Sequence, residues 1–173
     1  MSEIQANEGS QTILPVGVEA GKFLTFKLDV EEYGLEITKV QEIIGVLPAI
    51  KIPGAPEHVR GVVNLRGRII PTIELRSKFK LPDREDTERT CIIVVEAMTA
   101  KGKINVGVLV DEVAEVLDIA EENINVTPEF GREVNTDFII GIGVVDDKIM
   151  LLLDIDRVIG TDTFDYKAAS SAH

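Results

Sequence analysis

Residues 61–75 read GVVNLRGRIIPTIEL. Two apolar runs flank a polar centre, Asn64 to Arg68, which is the pattern of two strands joined by a tight turn. Gly67 can take positive φ there, and Asn64 can hydrogen-bond the turn backbone. The tip carries Arg66 and Arg68 in a chain whose formal net charge is −12. An arginine on a rigid tip is either a solubilising surface charge or a forked cation suited to a partner's carboxylate.

Strand signals extend outward from this hairpin. Residues 23–28 (FLTFKL) and 33–37 read as strands joined by an acidic turn at 29–32. Ile37, Val40, Ile43 and Ile44 then fall at helical spacing, so a short helix is expected. Residues 49–52 read as a short strand ended by PGAP, and ELRSKF after the hairpin reads as a helical turn. After a charged connector, residues 91–97 (CIIVVEA) and 104–110 read as strands around a glycine turn. Residues 111–117 repeat the helical spacing, and 119–130 read as irregular. The last hairpin joins 138–145 to 149–153 through Asp146–Asp147, and a final helix begins at Asp154.

The halves can be laid on one another. YGLEITKVQEII aligns with VGVLVDEVAEVL, placing Gly34 on Gly107, Val40 on Val113 and Glu42 on Glu115, an offset of 73. The opening stretch aligns with GIGVVDDKIMLLLDI, placing Gly61 on Gly141 and Arg68 on Lys148, an offset of 80. Two ordered matches indicate a duplicated β-unit of about five short strands. The expected fold is mainly β, with two similar five-stranded SH3-like barrel subdomains and short helices. Residues 1–20 read as a tail, 21–160 as one domain with halves at about 21–85 and 86–160, and 161–173 as a second tail or helix end. Each unit is too small for a comfortable core of its own, so the two should share a buried face. The seam between them is the natural place for a partner.

Composition supports a β core. Hydrophobic residues make up 45%, there is no Trp, and aromatics are 5%, so the interior must be aliphatic. The acidic excess repels phosphate backbones and disfavours nucleic acid. The one cysteine, Cys91, permits no intramolecular disulfide. No apolar run approaches a membrane span, and the polar N-terminus is no signal sequence, so a cytoplasmic location is expected.

No catalytic constellation is apparent. The histidines, His58 and His173, lack positioned partners in the sequence, and Cys91 heads a strand of buried type. Gly141-Ile142-Gly143 lies in a strand and lacks a phosphate loop's third glycine. The pairs Asp146–Asp147 and Asp154/Asp156 suit turns and caps better than metal. No cofactor or metal is expected, and a binding module fits better than an enzyme.

The segments FLTFKLDVEEYGLEITKVQEI, HVRGVVNLRGRIIPTIELRSKF, VGVLVDEVAEVL and GIGVVDDKIMLLLDIDRVI together resemble the CheW family of bacterial chemotaxis coupling proteins, over about residues 23–159. The resemblance implies a non-enzymatic adaptor joining a chemoreceptor's cytoplasmic hairpin tip to the regulatory domain of the histidine kinase CheA. It also implies rings in which adaptor and kinase alternate beneath receptor arrays, and a first strand that crosses over, so that the two units are not clean sequence halves. Carried over by position, Leu24, Ile37, Val40, Ile43 and Val113 would line the receptor groove, with Glu42 and Arg66 as polar positions there. Ala49, Ile50, Ile52 and Gly61 would face the kinase. Alternatives are a CheW-like scaffold for a related non-chemotaxis kinase pathway, or the CheW-like part of a CheV-type protein.

Overall fold

The computed structural model describes residues 21–125 and 137–160. The expected tails and part of the 119–130 connector lie outside these residues. Among the described residues eleven strands form two sheets: β1 (Gly21–Leu28), β2 (Glu31–Glu36), β3 (Val40–Gly45), β4 (Val59–Leu65), β5 (Arg68–Glu74), β6 (Cys91–Thr99), β7 (Gly102–Val110), β8 (Glu112–Ile119), β9 (Ile124–Asn125), β10 (Ile139–Val145) and β11 (Lys148–Leu153). Two short helices, α1 (Leu75–Lys78) and α2 (Ile155–Gly160), follow the two C-terminal hairpins of the repeat. The fold is mainly β, with two similar units.

The first sheet has the order β8-β1-β2-β11-β10-β9 and the second β3-β6-β7-β5-β4. Apart from the two-residue β9, the two orders match strand for strand under the duplication. Each sheet contains one parallel pair, β2 with β11 and β7 with β5. Gly34 and Gly107 sit at these matching pairs, where an added Cβ would lie 2.9 Å from Leu152 and 2.8 Å from Thr72. The hairpin tips match too. Arg66 and Gly67 have φ of 52° and 88°, and Asp146 and Asp147 have φ of 50° and 69°. Both hairpins also carry a bulge near the base, at Gly61 and Gly141.

The sheets do not follow an 85/86 division. β1 and β2 join the strands after residue 111, and β6 and β7 join the strands before residue 75. Each half therefore gives its whole first hairpin to the other half's sheet, two strands rather than the single one expected to cross.

Three apolar clusters follow from this exchange. Val63, Leu65, Ile70, Ile92, Val94 and Leu109 fill the second sheet's inner side. Phe23, Ile119, Met150 and Leu152 fill the first sheet's. The largest cluster lies between the sheets and includes Phe26, Leu35, Ile73, Ile93, Val95 and Val108. Along β6, Ile92 and Val94 face one cluster while Ile93 and Val95 face another, so both faces are buried. That explains the unbroken apolar run CIIVVEA, where a strand with one wet face would alternate.

Three expectations need correction. The helix expected from Ile37 is a three-residue 3-10 turn, Ile37–Lys39, followed by strand β3. The helix expected over 111–117 is strand β8. In both places an i, i+3 apolar spacing arises without a helix. The 3-10 turn separates Ile37 from Val40 by three residues. One extra residue at a bulge then separates Val40 from Ile43, and likewise Val113 from Val116. The strand expected at 49–52 is a single bridge, Ile50 to Val62.

Candidate functional site

The Arg66 tip is built as its sequence requires. Both central residues take positive φ, the geometry of a tight hairpin turn compatible with strand twist. The Gly67 N–H donates to Asn64 Oδ1 at 2.8 Å, which fixes the turn from within. Arg66 finds its carboxylate inside the chain: Nη2 donates to both oxygens of Glu42, at 2.7 and 2.8 Å. Nε and Nη1 make no hydrogen bond among the described residues. Glu42 lies on β3, at the opposite edge of the second sheet from β4. The pair therefore joins the sheet's edge strand to its hairpin tip. An analogous contact, Lys148 to Glu115 at 3.5 Å, joins edge strand β8 to the tip of the β10–β11 hairpin.

Arg66's hydrogen bond holds the Glu42 carboxyl below its usual range, and the same bond raises the Arg66 guanidinium. A depressed carboxyl keeps its partner above the ordinary carboxylate pKa and loses it only as pH falls through the lowered value. In Arg66→Ala the Glu42 titration, followed by NMR, should move upward towards the free-carboxyl range. An unmoved titration would mean that the pair does not form in solution.

The apolar candidates occupy a different face. Residues paired across strands share a side of the sheet. Val40 pairs with Val95 and Ile43 with Ile93, both in the inter-sheet cluster, whereas Glu42 pairs with Val94 of the second sheet's own cluster. The bulge thus turns Val40 and Ile43 towards the seam and Glu42 away from it. Ile37, Val40 and Val113 are half-buried against the inter-sheet cluster, and Ile43 is 43% exposed. Leu24 is only 2% exposed and presents no contact surface; it forms the floor beneath the rim.

Among the exposed apolar residues that the sequence reading did not single out, Val116 and Ile69 lie beside the candidates. Val116, 48% exposed, pairs with Leu24 and is Ile43's counterpart under the 73-residue offset. That alignment was the available signal, but a helical reading of 111–117 hid which side Val116 faces. Ile69, 56% exposed, flanks the arginine tip.

The other candidate set is built on one close approach. Ile50 N donates to Val62 O and Val62 N to Ile50 O, each at 2.9 Å. Gly61, with φ of 143°, makes room for this, since a Cβ there would stand 2.3 Å from Ile50 O. Ile50 is left 73% exposed, while Ala49 packs on the second sheet's cluster and Ile52 is half-buried.

A polar cleft of about 330 Å³ is lined by Arg60, Glu74, Arg76, Arg84, Asp86 and Asp111. Its charges pair with one another, Arg60 with Glu74 and Asp86 at 2.9 Å each and Arg76 with Asp111 at 2.6 Å. Burial pushes the Cys91 thiol up, which favours the unreactive form. No group of three metal-ligating side chains occurs among the described residues.

Residues 22–162 match the family model for a CheW-like domain. The chemotaxis protein CheW of Klebsiella aerogenes is 38% identical over 141 residues, covering 82% of each chain. The Bacillus subtilis chemotaxis protein CheW is 32% identical over 143 residues, covering 82% of this chain and 88% of the relative. The crystal structure of the scaffolding protein TtCheW from Thermoanaerobacter tengcongensis superposes with a TM-score of 0.73 at 34% identity, covering 80% of this chain and 92% of that one.

Proposed function

The chain belongs to the CheW family of chemotaxis scaffold proteins, and from that premise we propose that it couples chemoreceptors to the histidine kinase CheA without itself catalysing a reaction. The observation that carries this is the arrangement at the seam. Two edge strands, one from each sheet, rim the shared core with matching apolar pairs, Val40/Ile43 and Val113/Val116. A receptor's helical hairpin laying apolar side chains into that rim gains affinity by burial, at about 25 cal/mol per Å² before the costs of association. The Glu42–Arg66 pair lies on the other side of β3 and fixes orientation and partner choice more than affinity. Ile37 and Leu24 support the rim from beneath. The kinase's regulatory domain takes the opposite edge of the second sheet, where Ala49, Ile50 and Ile52 are held on β4 by Gly61. With two partners on separate edges, one chain joins both in rings beneath membrane-bound receptor arrays, on the cytoplasmic side. Attachment to the array runs through these partners. Among the described residues no helix is long and apolar enough to cross a membrane. No cofactor takes part, and signal passes as a shift among receptor–adaptor–kinase arrangements.

Co-sedimentation with receptor-bearing membranes and the kinase tests the proposal. Arg66→Glu places two carboxylates together on an exposed tip. It should leave melting nearly unchanged and weaken assembly at least tenfold, about 1.4 kcal/mol. Ile43→Asp should likewise keep the fold and lose receptor binding while retaining the kinase. Normal assembly by both variants, or no binding of either partner by the native chain, would overturn the reading.

A further inference from the structure

Asp156, in the first turn of α2, binds two elements with one carboxylate. Oδ2 accepts from Lys39 Nζ at 2.8 Å, and Oδ1 accepts from the Met98 N–H at 2.9 Å. Both contacts sit where the chain changes sheets. β3 runs along β6 from Gly45 opposite Cys91 to Val40 opposite Val95, and there the ladder ends. The preceding residues, Ile37–Lys39, form the 3-10 turn leading back to β2 in the other sheet. Met98 lies beyond the last β3 partner, so its N–H would lack a strand acceptor on that side. Asp156 supplies the acceptor and, with its second oxygen, ties down the turn that has just left. The carboxylate and the ammonium are each about one third exposed, so water screens the pair only in part. α2 is itself anchored, with Ile155, Val158 and Ile159 buried in the inter-sheet core. The Lys39 turn is therefore fixed to a rigid body.

We propose that Asp156 is a positioning residue for partner docking: it locks the 37–39 turn to β6 and thereby sets where Ile37 and Val40 stand at the seam. This rests on the receptor-docking reading above. Asp156 touches no partner itself. It acts through the turn, which is closed by the Val40 N–H donating to Ile37 O.

The test uses the full chain with receptor hairpin in nanodiscs and, separately, the kinase's regulatory domain. Asp156→Ala removes both contacts, whereas Asp156→Asn keeps an oxygen for Met98 and drops the charge facing Lys39. Exchange of the Val40 amide should accelerate at least tenfold in Asp156→Ala. Receptor affinity should fall at least fivefold, and kinase affinity should stay within twofold. Asp156→Asn should lie between, and Lys39→Ala should add nothing to Asp156→Ala, because both act on one contact. Receptor binding by Asp156→Ala equal to native overturns the inference, as does equal loss towards both partners. Failure of the native chain to bind the hairpin sinks the docking reading first and this inference with it, so the two failures are told apart.

Discussion

Gly61→Ala is expected to detach the 49–52 segment from β4 and destabilise the protein by about 3 kcal/mol, from backbone strain plus lost hydrogen bonds. The backbone at Gly61 has φ of 143°, a region that residues with a Cβ rarely adopt. The new methyl carbon would also lie 2.3 Å from Ile50 O and 2.7 Å from its carbonyl carbon. These are backbone atoms, so rotating a side chain relieves nothing. The segment must withdraw, and both Ile50–Val62 hydrogen bonds go with it. For a chain of this size the melting midpoint should fall by roughly 6–12 °C. Binding at the kinase-facing edge should fall more than binding at the seam, because only the former is built on the displaced segment. An unchanged midpoint would show that the segment yields without cost and that glycine is not needed there.

The second large effect is expected at Arg76. Its Nη1 donates to Asp29 at 2.7 Å and to Asp111 at 2.6 Å, while Nε and Nη2 reach the Pro82 carbonyl at 3.0 and 2.6 Å. Asp111 is the single residue between β7 and β8, where the chain passes from the second sheet to the first. The same carboxylate also accepts the Asp29 N–H and Arg84 Nη1. One guanidinium thus joins the β1–β2 turn, the sheet crossing and the charged connector. The Arg76 and Asp111 side chains are each only 12% exposed. Arg76→Ala leaves Asp111 poorly compensated and should cost about 3 kcal/mol, in the range for breaking a buried pair. Arg76→Lys should recover little, since one ammonium cannot reproduce the planar fork to Asp111 and Pro82 together. Urea unfolding measures both variants. A loss under about 1 kcal/mol for Arg76→Ala would mean that the exposed Arg84 suffices.

The legible parts of the molecule were those decided locally. The 61–75 hairpin could be read because turn residues and apolar alternation lie within fifteen positions. The β6–β7 and β10–β11 hairpins could be read for the same reason. The duplication was legible because each copy keeps its glycine at the parallel pairing, Gly34 and Gly107. The edge strands β3 and β8 were misread because a bulge inserts one residue and so imitates the helical interval. A period measured on one strand cannot reveal what its partner does.

Sequence by itself determined a β-rich duplicated chain, its hairpin tips and its family resemblance, because turn chemistry, side-chain alternation and repeat matching need no distant residues. Tertiary structure alone decided that each half lends its first hairpin to the other's sheet, that Glu42 meets Arg66 across 24 positions, and that Val40 and Val113 pack against one inter-sheet cluster. Those outcomes depend on which strand pairs with which and on where a bulge shifts the register. Pairing is settled by burying both faces of β6 between clusters drawn from the whole chain.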